Sequence, residues 1–203
     1  MGDDPLRMFL VLRRGAIGTL ARAAELGGAA AVRCVRDFDI DPEWRGRPGK
    51  VCLRARTTAQ WAAVLGEPHA LAGEADGESV AALPPRRRSE RGPLLERLQA
   101  MSTALGEAPA KLERPQPDAV TYALNPALEM SSGKVVAQVA HAAVMAAAAL
   151  PRWAEAGAPG QLVAPRDFAA LAAGEDLAAR VVDAGLTEVA PGTVTVLALA
   201  PRG

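Results

Sequence analysis

Aromatic residues are scarce: three Trp, three Phe and one Tyr in 203 residues. The interior must therefore be built mostly from Ala, Val and Leu. Cysteine is rarer still. Cys34 and Cys52 belong to no CxxC pair, and His69 and His141 are the only histidines. A structural zinc site needs about four ligands in recognisable spacing, which this set does not supply. No metal is expected, and a disulfide between the two cysteines has nothing to support it. Long apolar runs are also lacking. The longest, residues 135–150, is Ala-rich, carries Gln138 and His141, and is too short and too weakly hydrophobic to span a bilayer. The start, Met1-Gly2-Asp3-Asp4, is acidic and does not resemble a signal peptide. The expectation is a cytoplasmic protein with no membrane partner.

Net charge is zero but unevenly spread. Met1 to Pro117 carries 18 Lys and Arg against 15 Asp and Glu, and Asp118 to Gly203 carries 5 against 8. Neither imbalance is the strong basic bias typical of nucleic-acid binders. A local basic run, Arg86-Arg87-Arg88 with Arg91, is available either to phosphates or simply to solvent.

Period along the chain gives two passes with one plan. In the first, residues 8–12 read as a buried strand and residues 16–35 as a helix. A turn at residues 41–49 holds Trp44. Residues 50–55 then read as a strand, and residues 57–65 as a helix capped by Thr57 or Thr58. Short strands follow at 70–73 and 79–83, around Asp76-Gly77. In the second pass, residues 119–124 read as a strand, and Ser131 or Ser132 caps a helix over 133–150. A turn with Trp153, Gly157, Pro159 and Gly160 follows. A strand at 161–164, a short helix at 166–173 and strands at 178–182 and 193–200 complete it. The repeated order, with matched Trp turns, reads as an internal duplication. Between the passes, residues 93–105 have helical spacing in Leu94, Leu95, Leu98, Met101 and Leu105. Prolines at 109, 115 and 117 then punctuate the chain, which places a boundary near residue 117.

Two clusters carry chemistry. At 100° per residue, Lys134, Gln138 and His141 fall within about 60° of one another on the second long helix, apart from the arc of Val135, Val136, Val139 and Ala143. A lysine in a first helical turn is unfavourable for the helix dipole unless it helps to hold an anion or an oxyanion. The plain alternative is a solvated lysine. Ser132-Gly133-Lys134 is not a nucleotide phosphate loop, because Leu128 and Val135 occupy the places that need Gly and Ser or Thr. The second cluster follows an apolar strand. Asp183 there would project into the crevice at a strand end, where α/β sheets bind ligands, or make an ordinary Asx turn before Gly185. Thr187 and Thr195 have plain roles as strand formers.

The run Gly133-Lys134-x-x-Ala137-Gln138-x-x-His141-Ala142 resembles the GK-x-x-AQ-x-x-HA signature of the archaeal/eukaryotic-type, or type 2, peptidyl-tRNA hydrolases. The run Asp183-Ala184-Gly185-x-Thr187-x-x-Ala190-Pro191-Gly192-x-x-Thr195 resembles that family's DAG-x-T-x-x-APG-x-x-T signature. The resemblance covers Asp118 to Gly203, and the two-copy form looks like the version seen in actinobacteria. It implies an α/β fold, a small mixed sheet with helices on both faces. The repeat extends this to a degenerate copy over residues 1–91, a helix and Pro-rich linker over 92–117, and a complete copy over 118–203. The resemblance also implies hydrolysis of the ester joining a peptide to the 3′ end of tRNA, with peptidyl-tRNA as partner and no cofactor. On that reading Asp183 orients or deprotonates the water. Lys134 keeps it ionised and stabilises the oxyanion, and Thr187 donates a hydrogen bond. Gln138, His141, Thr195 and Gly133 are candidate substrate contacts. Two departures stand out. The second helix is clipped relative to the pattern, and the first half lacks both signatures. A non-catalytic binder of the tRNA acceptor end and an aminoacyl-tRNA-dependent acyl transferase are the alternative functions.

Overall fold

Met8, Leu10 and Leu12 of the first strand face one core while Phe9 and Val11 face another, and all five are buried. A strand buried on both sides must be covered by layers on both sides, and this condition organises the molecule. The computed structural model describes residues 4–46, 48–185 and 188–202.

The first unit runs β1 (Arg7–Arg13), α1 (Leu20–Asp37), α2 (Pro42–Gly46), β2 (Gly49–Ala55), α3 (Thr58–Leu65), β3 (Ala70–Gly73), β4 (Ser79–Arg86), α4 (Gly92–Arg97) and β5 (Gln99–Ala100). The second runs β6 (Val120–Leu124), α5 (Ser132–Ala149), α6 (Pro151–Glu155), β7 (Gly160–Val163), α7 (Phe168–Ala172), β8 (Leu177–Val182) and β9 (Val194–Leu199). The sheets are ordered β3-β4-β1-β2-β5 and β7-β6-β9-β8. In each, the first strand pairs parallel with the second and antiparallel with the fourth, and the fourth pairs antiparallel with the third. Apart from the edge strand β5, the two topologies are the same. The fold is mixed α/β, with two mixed sheets.

The long helices lie between the sheets. α1 packs on β3 and β4 of its own sheet and on β7 of the other, while α5 packs on β8 and β9 and on β2. Because β2 and β7 hold equivalent places, the packing is reciprocal. One core runs through both helices and the inner faces of both sheets. The α1–α5 contact relies on small residues: a Cβ on Gly27 would lie 2.7 Å from Val136 Cγ1, and one on Gly28 would lie 3.2 Å from Ala143 Cβ. Two smaller cores cover the outer faces. Trp61, Val64, Leu95 and Leu98 lie over the first sheet, and Phe168 and Leu171 over the second.

Several sequence expectations need adjusting. α1 begins at Leu20 because Thr19 caps it, its hydroxyl accepting from Arg22 N at 3.2 Å. The Trp turns are short helices that open on Pro42 and Pro151, and proline is pre-organised for a first helical position. Each indole N–H donates to the carbonyl at the entry of the next strand, Trp44 to Gly49 O at 2.9 Å and Trp153 to Pro159 O at 2.8 Å. The segment 93–105 is helical only to Arg97. Leu95 and Leu98 enter the outer core of the first sheet, whereas Met101 enters the central core, so the chain must extend around the sheet edge as β5. Helical spacing of apolar residues does not distinguish one buried face from two.

With a core shared by both units, the chain is expected to unfold in one cooperative transition in thermal and denaturant melts. Two separated transitions would contradict the shared core. Gly27→Leu is expected to cost about 1–3 kcal/mol by overpacking the α1–α5 contact, measured as a shift of the denaturant midpoint.

Candidate functional site

The first turn of α5 and the loop after β8 meet at one end of the second sheet. Ser131 caps α5, its hydroxyl accepting from Lys134 N at 3.3 Å. The same residue donates twice to Glu188, from its backbone N to Oε2 and from its hydroxyl to Oε1, each at 2.7 Å. A carboxylate thus sits at the positive end of the helix dipole and ties the loop to the helix. Gly133 is buried beneath the linker, where a Cβ would come within 2.7 Å of Met101 O. Glycine lets that backbone cross α5 at this point.

Lys134 is not a solvated first-turn lysine. Its Nζ lies 2.6 Å from Asp183 Oδ2, with side-chain exposures of 13% and 5%. Gln138 Nε2 donates to the same carboxylate oxygen at 2.5 Å. Asp183 Oδ1 accepts from Gly185 N at 2.8 Å, the Asx turn anticipated from the sequence. Glycine is required at 185, where φ is +74° and a Cβ would lie 2.6 Å from Pro191. The neighbouring backbone is pinned as well, Asp183 N donating to Thr193 O and Gly192 N to Asp183 O, both at 2.9 Å. Burial pushes the Asp183 carboxyl up, but the hydrogen bonds from Lys134, Gly185 and Gln138 and the charge of Lys134 together hold it below its ordinary value. A buried ion pair is tolerated only when the remaining hydrogen-bonding capacity is met, as it is here.

Thr195 is fully buried, and its hydroxyl donates to Gln138 Oε1 at 3.1 Å. It therefore holds the Gln138 amide in the orientation that presents Nε2 to Asp183, and does not line the cleft. This corrects the expectation of a substrate contact. His141 does line the cleft. Burial, then the nearby Lys50, push its imidazole down to about 3 against the opposing pull of Asp183. Thr187 lies outside the described residues.

The cluster opens on a cleft of about 530 Å³. Lys134, Gln138, His141, Asp183 and Glu188 form one wall; Arg7, Gly49, Lys50 and Cys52 of the first unit form the other. Sequence reasoning misses Glu188, Lys50 and Arg7. The first lies at a variable place in its motif, and the other two belong to a strand pair that meets α5 only in the folded chain. The clipped helix α7 packs on the outer face of the second sheet, through Phe168 and Leu171, and contributes no residue to the cleft lining. The basic run is largely engaged internally: Arg86 pairs with Glu67, Arg87 with Glu43, and Arg91 stacks over Phe9 at 5.0 Å. Among the described residues no group of three or more His, Cys, Asp or Glu is placed to hold a metal ion, and no helix is long and apolar enough to cross a membrane.

Residues 120–203, less than half of the chain, match the family model of peptidyl-tRNA hydrolase PTH2. This part of the chain is similar to the type 2 peptidyl-tRNA hydrolases. No solved structure matches the chain. The PTH2 unit begins at β6, and the match excludes the first unit.

The shared topology allows the first unit to be compared with the PTH2 unit position by position. α1 and α5 have equal length, so Arg22 stands where Lys134 stands, Leu26 where Gln138 stands and Ala29 where His141 stands. Leu12 pairs with Val80 as Leu124 pairs with Val196, which sets Ser79 against Thr195. Ala72 pairs with Val80 as Val181 pairs with Val196, which sets Glu74 against Asp183. Arg22 pairs with Glu78 at 3.1 Å, but both side chains are nearly half exposed, at 44% and 47%. The Ser79 hydroxyl is buried with no hydrogen-bond partner, because Leu26 replaces the glutamine that Thr195 reaches in the PTH2 unit.

The His141 imidazole is expected to remain neutral between about pH 5 and 8 and to protonate near 3, read from its ring ¹⁵N shifts. A midpoint near 6.5 would contradict the buried placement. Since the folded-state value lies below the unfolded one, this group removes stability as pH falls from 6.5 towards 3.

Proposed function

We propose that the PTH2 unit hydrolyses the ester between a peptide, or an N-blocked amino acid, and the 3′ end of tRNA. The observation that carries this reading is the Lys134–Asp183–Gln138 cluster, formed by the two signature motifs and facing a cleft large enough for an acyl-nucleotide end. The substrate carbonyl enters beside Lys134, whose ammonium stabilises the oxyanion. Asp183 accepts two donors on Oδ2 and one on Oδ1, and its carboxyl is held below its ordinary value, so it is a weak base. Its part is to orient the attacking water and to fix Lys134, while the water's proton passes to the departing ribose oxygen as the ester C–O bond breaks. Neutral His141 offers the cleft a ring that donates or accepts, and Thr187 stays a candidate hydrogen-bond donor. Gln138 and Thr195 position Asp183. Peptidyl-tRNA is the partner, and the location is cytoplasmic.

We read the chain as a degenerate unit over residues 1–91, a linker over 92–117 and the complete unit over 118–203, related by duplication. Matching topology, paired Trp44 and Trp153, and the orphaned Ser79 hydroxyl support this history. The binding-only alternative drew on a cleft altered by the clipped helix, and α7 does not touch the cleft.

Asp183→Asn and Lys134→Met are each expected to lower turnover of N-acetyl-aminoacyl-tRNA by about 10²–10³-fold, the scale of losing an oxyanion stabiliser. Thermal melts alongside separate chemistry from folding, since both residues are buried. Folded variants with near-full turnover would overturn the assignment.

A further inference from the structure

The first unit presents a buried cation to the cleft for which the family match gives no role. Lys50, at the start of β2, lies 4.7 Å above the Trp44 ring, and its Nζ is buried with no hydrogen-bond partner among the described residues. An ammonium taken out of water without a partner is costly, and chains rarely keep one without a use. Arg7 runs alongside: a Cβ on Gly49 would lie 3.3 Å from Arg7 Cγ and 3.8 Å from its guanidinium. Facing them across the cleft are Lys134, His141, Asp183 and Glu188, with Cys52 on the same strand. The carboxylates are already engaged, Asp183 by Lys134 and Gln138, and Glu188 by Ser131. Among the described residues neither carboxylate is hydrogen-bonded to Lys50.

The equivalent of Lys50 in the PTH2 unit is Gly160. The indole of Trp44 binds Gly49 O and that of Trp153 binds Pro159 O, so the residues that follow correspond. At Gly160 a Cβ would lie 2.5 Å from the Tyr122 ring, leaving no room for a side chain. The lysine is therefore a feature of one wall of one cleft and not of the common topology.

We propose that Lys50, assisted by Arg7, is the phosphate contact of the cleft, receiving a phosphodiester oxygen of the tRNA 3′ end while the ester lies against Lys134. The first unit then supplies part of the substrate site although it lacks the catalytic cluster. A lysine stem is long and flexible, so Nζ reaches an incoming anion without backbone movement. Burial depresses the unliganded amine to about 7, and a bound phosphate draws the proton back. Affinity contributed by Lys50 is accordingly present below about 7 and declines as pH rises through that value.

The identity of the anion rests on the proposed substrate, so the test uses the full chain and binding of deacylated tRNA. Lys50→Met is expected to weaken binding about ten- to hundredfold below neutral pH, the worth of one charge-assisted hydrogen bond. It should also abolish the decline of affinity with rising pH. Lys50→Arg is expected to restore affinity without that decline, because arginine stays charged. The Met variant should melt no lower than wild type, since it removes an unpaired buried charge. A tRNA trimmed of its 3′-terminal nucleotides should bind the Met variant and wild type equally. Unchanged affinity and pH profile in Lys50→Met, or a Lys50 effect that survives trimming, would overturn the inference. Wild-type protein that shows the Lys50-dependent binding yet never cleaves N-acetyl-aminoacyl-tRNA would uphold it and overturn the hydrolase reading instead.

Discussion

The arrangement depends on one contact, the ion pair between Lys134 in the first turn of α5 and Asp183 at the end of β8. Two charges so little exposed would be a liability if either were left unpaired. Each surrounding feature removes part of that cost. Gln138 and the Gly185 N–H complete the hydrogen bonds of the carboxylate, and Thr195 holds Gln138. Gly192 and Thr193 pin the backbone of Asp183. Glu188 and Ser131 anchor the loop to the helix end. The result is a charge pair kept in one geometry before any substrate arrives, which is how electrostatic catalysis avoids reorganisation during the reaction.

The first unit matters to this pair even though it lacks the motifs. Its helix α1 packs along α5, its strand β2 faces the helix across the cleft, and the linker at Met101 crosses Gly133. The comparison of Arg22–Glu78 with Lys134–Asp183 shows what enclosure does. The first pair is nearly half exposed, and an exposed ion pair is screened and contributes little. The second is enclosed by residues from both units.

Much of this was legible in the sequence because the signals are local. Short apolar runs mark β1, β6 and β9, and capping residues mark Thr57 and Ser131 as helix starts. The stripe of Lys134 and Gln138 and the position of Asp183 after a strand follow from the same rules. What was not legible is non-local. Residues 93–105 serve two cores, so their apolar spacing imitates a helix that ends at Arg97. Thr195 faces inward because β9 buries both of its faces, which a motif position does not reveal. Lys50 and Arg7 reach the cleft only because α5 packs against a strand some 80 residues earlier, and no spacing encodes that contact.

The central claim is that this enclosed pair directs water onto an acyl ester. The most direct measurement is hydrolysis of N-acetyl-aminoacyl-tRNA in H₂¹⁸O, with mass analysis of the released N-acetyl amino acid. The account predicts one ¹⁸O in the new carboxylate, appearing with wild-type protein and nearly absent with Asp183→Asn. No released acid, or unlabelled acid, would contradict it.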